Sequence, residues 1–140
     1  MIELDKIYFE HAESIFRFLF RMSGNAELSE ELTGDTFEEA LSDAARYTGS
    51  FKIRSWLSSI AYDEYKKHMR RTKTTGSGEL LPGEAIRKSI LSLPEPYCRT
   101  LTLRLYAGLP FSEIAGLEGL SLNSVKVIYC RAKRMLSEVM

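Results

Sequence analysis

One stretch constrains the fold more than any other. It runs Leu109-Pro110-Phe111-Ser112-Glu113-Ile114-Ala115-Gly116-Leu117-Glu118-Gly119-Leu120-Ser121-Leu122-Asn123-Ser124-Val125-Lys126 and closes in Arg131-Ala132-Lys133-Arg134-Met135-Leu136. Two helices crossing at a short turn need a small residue at their contact, a glycine at the turn and apolar residues beneath the second helix. Ala115, Gly119, and Val125 with Ile128 fall at those places, so the pattern predicts a helix-turn-helix. Along its second helix, Val125, Ile128 or Tyr129, Ala132 and Leu136 recur at the spacing of one buried face. The opposite face then carries Asn123, Ser124, Lys126, Val127, Cys130 and Arg131, the side such a helix turns toward a major groove.

The rest of the chain also reads as helix. Ile7, Ile15, Phe16, Leu19 and Phe20 share helical spacing over about 3–22, Phe37, Ala40, Leu41 and Ala44 over about 29–46, and Trp56, Leu57, Ile60 and Tyr65 over about 53–71. Ile86, Ile90 and Leu93 mark a short helix ending at Pro94, and another runs from about Glu95 to Ala107. No stretch alternates with a period of two. Glycine, serine and proline collect at 72–83, which predicts a linker. The expected architecture is therefore all-α, with two small helical domains at 1–71 and 84–140 joined by that short tether.

Composition narrows the function classes. No run approaches the ~18 apolar residues of a membrane span, so no membrane insertion is expected. Cys98 and Cys130 lie far apart and only His11 and His68 could assist them, a poor basis for a disulfide framework or a metal site, and a reducing cytoplasm fits best. The residues form no catalytic constellation, and neither enzyme activity nor a cofactor is expected. Net charge is zero, but it is unevenly spread. Residues 1–50 hold eleven acidic and four basic side chains, while 51–73 hold seven basic and two acidic. Such asymmetry suits a protein with one face for an anionic polymer and another for a protein partner.

With those patterns in place, the chain resembles the extracytoplasmic-function (group 4) sigma factors of bacterial RNA polymerase. Leu93-Pro94-Glu95-Pro96-Tyr97, then Leu101 and Leu103-Arg104, then the helix-turn-helix, match sigma region 4. Leu32-Thr33, Thr36-Phe37 and Ala40 look like region 2.2, and Trp56-Leu57, Ile60-Ala61 and Arg70-Arg71 like region 2.3 onward. Two motifs in the right order are more specific than either alone. The resemblance implies that the first domain docks on core RNA polymerase and opens the −10 element of promoter DNA, while the second reads the −35 element as duplex. It would place Glu31, Leu32, Thr33, Asp35, Phe37 and Glu38 against the polymerase. Tyr47, Ile60 and Asp63 would line a pocket for a flipped −10 base, with Lys66, Lys67, Arg70 and Arg71 on backbone phosphates. Asn123, Ser124, Lys126, Val127, Cys130 and Arg131 would meet the −35 element. An anti-sigma factor is a further expected partner. The chain departs from the family's pattern at Asp63, where Asn is usual, and at Gly34, where Gln is usual.

A second reading belongs to a different class. A sigma-factor mimic would keep this fold to sequester an anti-sigma factor without binding DNA. Zero net charge, Asp63, Gly34 and the short linker favour it; the unbroken helix-turn-helix, Lys126, Arg131 and the basic run 66–71 favour the sigma factor. A free-standing helix-turn-helix repressor leaves the first domain unexplained.

Overall fold

The computed structural model describes residues 4–47, 49–72 and 83–139. Seven α-helices and one 3-10 turn account for the regular structure, and no strand occurs among the described residues. The all-α expectation is met. Contacts separate the chain into two compact units on either side of the Thr72–Lys73 bond. Residues 73–82 of the expected linker lie outside the described residues.

In the first unit, α1 (Leu4–Ser23), α2 (Ala26–Ser42) and α3 (Ile53–Thr72) pack against one another, with a 3-10 turn (Ala44–Arg46) after α2. Asn25 starts α2: its side-chain oxygen accepts the Leu28 N–H at 3.0 Å, satisfying a donor that has no partner inside the helix. Ile7, Ile15, Phe18, Leu19 and Met22 from α1 meet Leu32, Phe37 and Ala40 from α2 and Trp56, Leu57, Ile60, Ala61, Tyr62 and Tyr65 from α3 in the core. Polar groups in that core stay satisfied. Thr33 Oγ1 donates to Ser29 O and Thr36 Oγ1 to Leu32 O, both at 2.7 Å, so small hydroxyl side chains face neighbouring helices without losing their hydrogen bonds.

The structure corrects three stripes read from periodicity. Phe16 and Phe20 leave the core to Phe18 and Met22. They sit a residue off the buried line and stack on each other instead, ring centroids 6.2 Å apart. Leu41 is exposed on α2, and Ala44, past the end of that helix at Ser42, is half-buried. Ile86 is exposed, leaving Ile90 and Leu93 as the anchors of their segment.

In the second unit, α5 (Tyr97–Leu105) is central, with α4 (Glu84–Leu91), α6 (Phe111–Glu118) and α7 (Leu122–Val139) packed on it. Cys98, Leu101, Leu103, Leu109, Ile114, Val125 and Ala132 are fully buried, and Ala115 nearly so at the α6–α7 contact. Gly119 closes α6 with φ 67°, a left-handed conformation that a β-carbon makes costly. Ser121 then starts α7. Its Oγ accepts the Ser124 N–H at 3.1 Å and donates to Ser124 Oγ at 2.9 Å.

Candidate nucleic-acid and partner interfaces

The outward face of α7 has the composition a groove reader needs. Val125 and Ala132 are fully buried and Ile128, Tyr129, Met135 and Leu136 partly so, which fixes the rotation of the helix. Asn123, Ser124, Lys126, Val127, Cys130 and Arg131 are then all exposed on the other side. The Ser124 hydroxyl, alone of these six groups, is engaged with Ser121 at the helix start. Cys130 is a free, exposed thiol, whereas Cys98 is buried.

Two arginines of α5 brace α6 at its ends, a feature the sequence pattern missed. Arg104 donates from a guanidinium nitrogen to Leu109 O at 3.1 Å and lies over the Phe111 ring, its Cζ 4.4 Å from the centroid. Arg99 pairs with Glu118 at the other end. Phe111 in turn meets Tyr129 of α7 edge to face, centroids 5.0 Å apart, and the Lys133 ammonium lies 5.5 Å from the Tyr129 centroid. Arg104 and Phe111 fall within the motifs, but their contact with each other and with Tyr129 carries no sequence signature, because it spans three helices. The Ser121–Ser124 cap does carry one, a hydroxyl residue immediately before the helix and four positions before its first buried residue, Val125.

On α3, two of the residues expected at a base pocket differ in burial. Ile60 is 7% exposed and belongs to the core, while Asp63 is exposed; the two stand three positions apart on the helix but on opposite sides of the boundary with water. Ile60 therefore packs the core of the unit. Tyr47 packs its ring 5.3 Å from Trp56, and its hydroxyl donates to Phe51 O at 2.7 Å. Its half-buried ring braces the segment before α3. Lys66 lies over the Tyr62 ring at 5.9 Å, and Lys67 pairs with Glu64 at 3.3 Å. Arg70 and Arg71 are exposed in the last turn of α3, where their charge also suits the negative end of the helix dipole.

On α2, the six expected polymerase-facing residues divide into two groups. Leu32 (2% exposed), Thr33 and Phe37 are buried against α1 and α3, and Phe37 meets Tyr8 at 5.0 Å between centroids. In the folded unit these three side chains pack the core, while the exposed members of the set are its acidic residues. Glu31 and Glu38 are exposed and Asp35 half-exposed. With Glu27 and Glu30 they make the outer side of α2 strongly acidic. Gly34 lies on that side, and a β-carbon built there meets nothing within 4 Å.

Among the described residues, no three His, Cys, Asp or Glu side chains gather as a metal site, and no helix is long and apolar enough to cross a membrane.

Two helical units, one with an acidic helix and a basic helix end, the other a helix-turn-helix, define the class of a two-part transcription factor. The comparisons identify it. Residues 7–75 match the family model of Sigma-70 region 2, and residues 83–136 match that of Sigma-70, region 4. The chain belongs to the sigma-70 family, in its extracytoplasmic-function group. It is similar to the RNA polymerase sigma factor YlaC of Bacillus subtilis, 28% identical with 98% of this chain and 91% of that protein covered. It is also similar to the ECF RNA polymerase sigma factor SigM of the same organism, at 26% identity over 95% and 92%. Among solved structures, CnrH in complex with the cytosolic domain of CnrY shares the fold with a TM-score of 0.69 at 18% identity, covering 97% of this chain and 86% of that one. The sigma factor RpoE of Bartonella quintana, in complex with the anti-sigma factor NepR, gives 0.65 at 17%, covering 96% and 94%. The family consists of regulators of transcription initiation rather than enzymes.

Proposed function

We propose that this chain binds core RNA polymerase through the acidic side of α2, centred on Glu31, Asp35 and Glu38, and directs it to promoter DNA. The basic end of α3 (Lys66, Lys67, Arg70, Arg71), with Asp63 beside it, lies along the −10 region. The outer face of α7 (Asn123, Lys126, Val127, Cys130, Arg131) enters the major groove of the −35 element. The observation that carries the reading is the division of α7: every expected groove-facing residue is exposed, while Val125 and Ala132 hold the helix from behind. The division of charge supports it, since α2 is too acidic to lie on phosphate and the end of α3 is basic. The chain supplies recognition in the cytoplasm and the polymerase makes the bonds. An anti-sigma factor holds it in reserve, by analogy with the relatives caught in such complexes.

In-vitro transcription with purified core polymerase tests this. Addition of the chain is expected to give initiation at a defined promoter, and Glu31→Lys with Asp35→Lys to weaken polymerase binding while leaving duplex affinity of the free chain unchanged. If the wild-type chain binds an anti-sigma factor but selects no promoter with core polymerase, the mimic reading replaces this one.

A further inference from the structure

Arg104 begins a line of contacts that ends on the groove-facing helix. Its guanidinium holds the carbonyl of Leu109, a buried residue just before α6, and covers one face of Phe111 at the first position of α6. The Phe111 ring meets Tyr129 at 63° between planes, and Lys133, one turn further along α7, rests its ammonium on the Tyr129 ring. Cation, ring, ring, cation thus run from α5 across the start of α6 to α7. None of these four side chains is in the buried core: Arg104, Phe111 and Tyr129 are half-buried and Lys133 is exposed. Leu101, Leu103, Ile114, Val125 and Ala132 form the core without them.

A planar guanidinium can donate in its plane to a carbonyl while its face stacks on a ring, whereas an ammonium has no face to stack and fixes the geometry less tightly. The arrangement therefore specifies an angle between helices more than it adds apolar burial. We propose that Arg104 is a positioning residue for duplex binding: acting through Phe111 and Tyr129, it sets α7 so that Lys133 is held ready for a backbone phosphate. Lys133 lies beyond the groove-facing set named above, at a place where a cation meets the flank of the groove rather than a base edge. Resting on a ring restricts its rotamers before the duplex arrives, so less freedom is lost on binding. This inference depends on the proposed function, because it presumes that α7 meets the duplex.

The test uses the full chain with core polymerase and a promoter duplex selected by that wild-type holoenzyme from a random pool, with affinity measured across a salt series. Lys133→Ala is expected to lower affinity and to reduce the salt slope by about one, the signature of one lost phosphate contact. Arg104→Ala is expected to lower affinity about three- to tenfold with unchanged helical content, and the double variant to lose no more than the worse single, as coupled residues do. Arg104→Lys, which keeps the charge but not the plane, should remain impaired. Additive losses, a slope reduced by two in the double variant, or full rescue by lysine would each show that Arg104 acts independently of Lys133, and would overturn this inference alone. A wild-type holoenzyme that selects no duplex overturns it together with the proposed function.

Discussion

Arg99 on α5 and Glu118 in the last turn of α6 form an ion pair across helices, with only 17% and 25% of their side chains left to solvent. A glutamate at a helix C-terminus faces the negative end of the helix dipole, and here the guanidinium offsets that. Arg99→Ala is expected to destabilise the second unit by about 1–2 kcal/mol, between the worth of exposed and fully buried pairs. Urea unfolding followed by circular dichroism measures it. In the Arg99→Ala background, Glu118→Ala should cost little more; an equal second loss would mean the two residues are not coupled.

Ser121 caps α7 with its side chain. Ser121→Ala should cost ~1 kcal/mol, and Ser121→Asp should keep or raise stability, since either oxygen accepts the Ser124 N–H. Thermal melts of the two variants decide it. A neutral alanine variant would show that the hydrogen bond adds nothing.

Gly34 lies in the middle of α2 with open space around its missing β-carbon and no left-handed backbone. Nothing within the unit requires glycine there. Gly34→Ala is expected to raise stability by up to ~1 kcal/mol, the usual difference between the two residues inside an exposed helix. A loss of stability in the melt would contradict the open surroundings. Weaker polymerase binding by the more stable variant would locate a close approach of the partner at this point of α2.

Val127 is 48% exposed among polar neighbours, with the Cys130 thiol one turn on. The thymine methyl is the apolar group of the major-groove edge. Replacing thymine by deoxyuridine in the −35 element at the base facing Val127 should weaken binding about fourfold, as expected for ~0.8 kcal/mol per buried methyl-sized group. Val127→Ala should lose the same amount and become indifferent to the replacement. Equal affinity for both duplexes would exclude methyl recognition by Val127.

The two helical units were legible because both carry dense periodic patterns. The helix-turn-helix was legible to the residue, since Ala115, Gly119 and Val125 each answer a steric demand that few residues meet. Periodicity was less reliable where aromatics crowd one helix. In α1, four phenylalanines stand at positions 9, 16, 18 and 20, and hydrophobicity alone does not tell Phe18, buried, from Phe16 and Phe20, stacked on each other near the surface. Burial at Leu32, Thr33, Phe37 and Ile60 was no easier to read. A motif marks them as important, but whether a residue contacts a partner or supports one depends on helix rotation, which is set by packing on the other two helices. The contacts among Arg104, Phe111, Tyr129 and Lys133 were illegible for a simpler reason: their proximity exists only after folding.

The split of α7 into a buried face and an exposed face also bears on how such a protein can diverge. Asn123, Lys126, Val127, Cys130 and Arg131 contribute almost nothing to the core. Substitutions among them change surface chemistry at a cost typically within ~0.5 kcal/mol of stability. On the proposed reading of that face, a duplicated copy of this chain acquires a new promoter code by exchanging a few side chains while its scaffold remains intact. On that same reading, α7 is a practical place to write regulators that ignore each other's promoters.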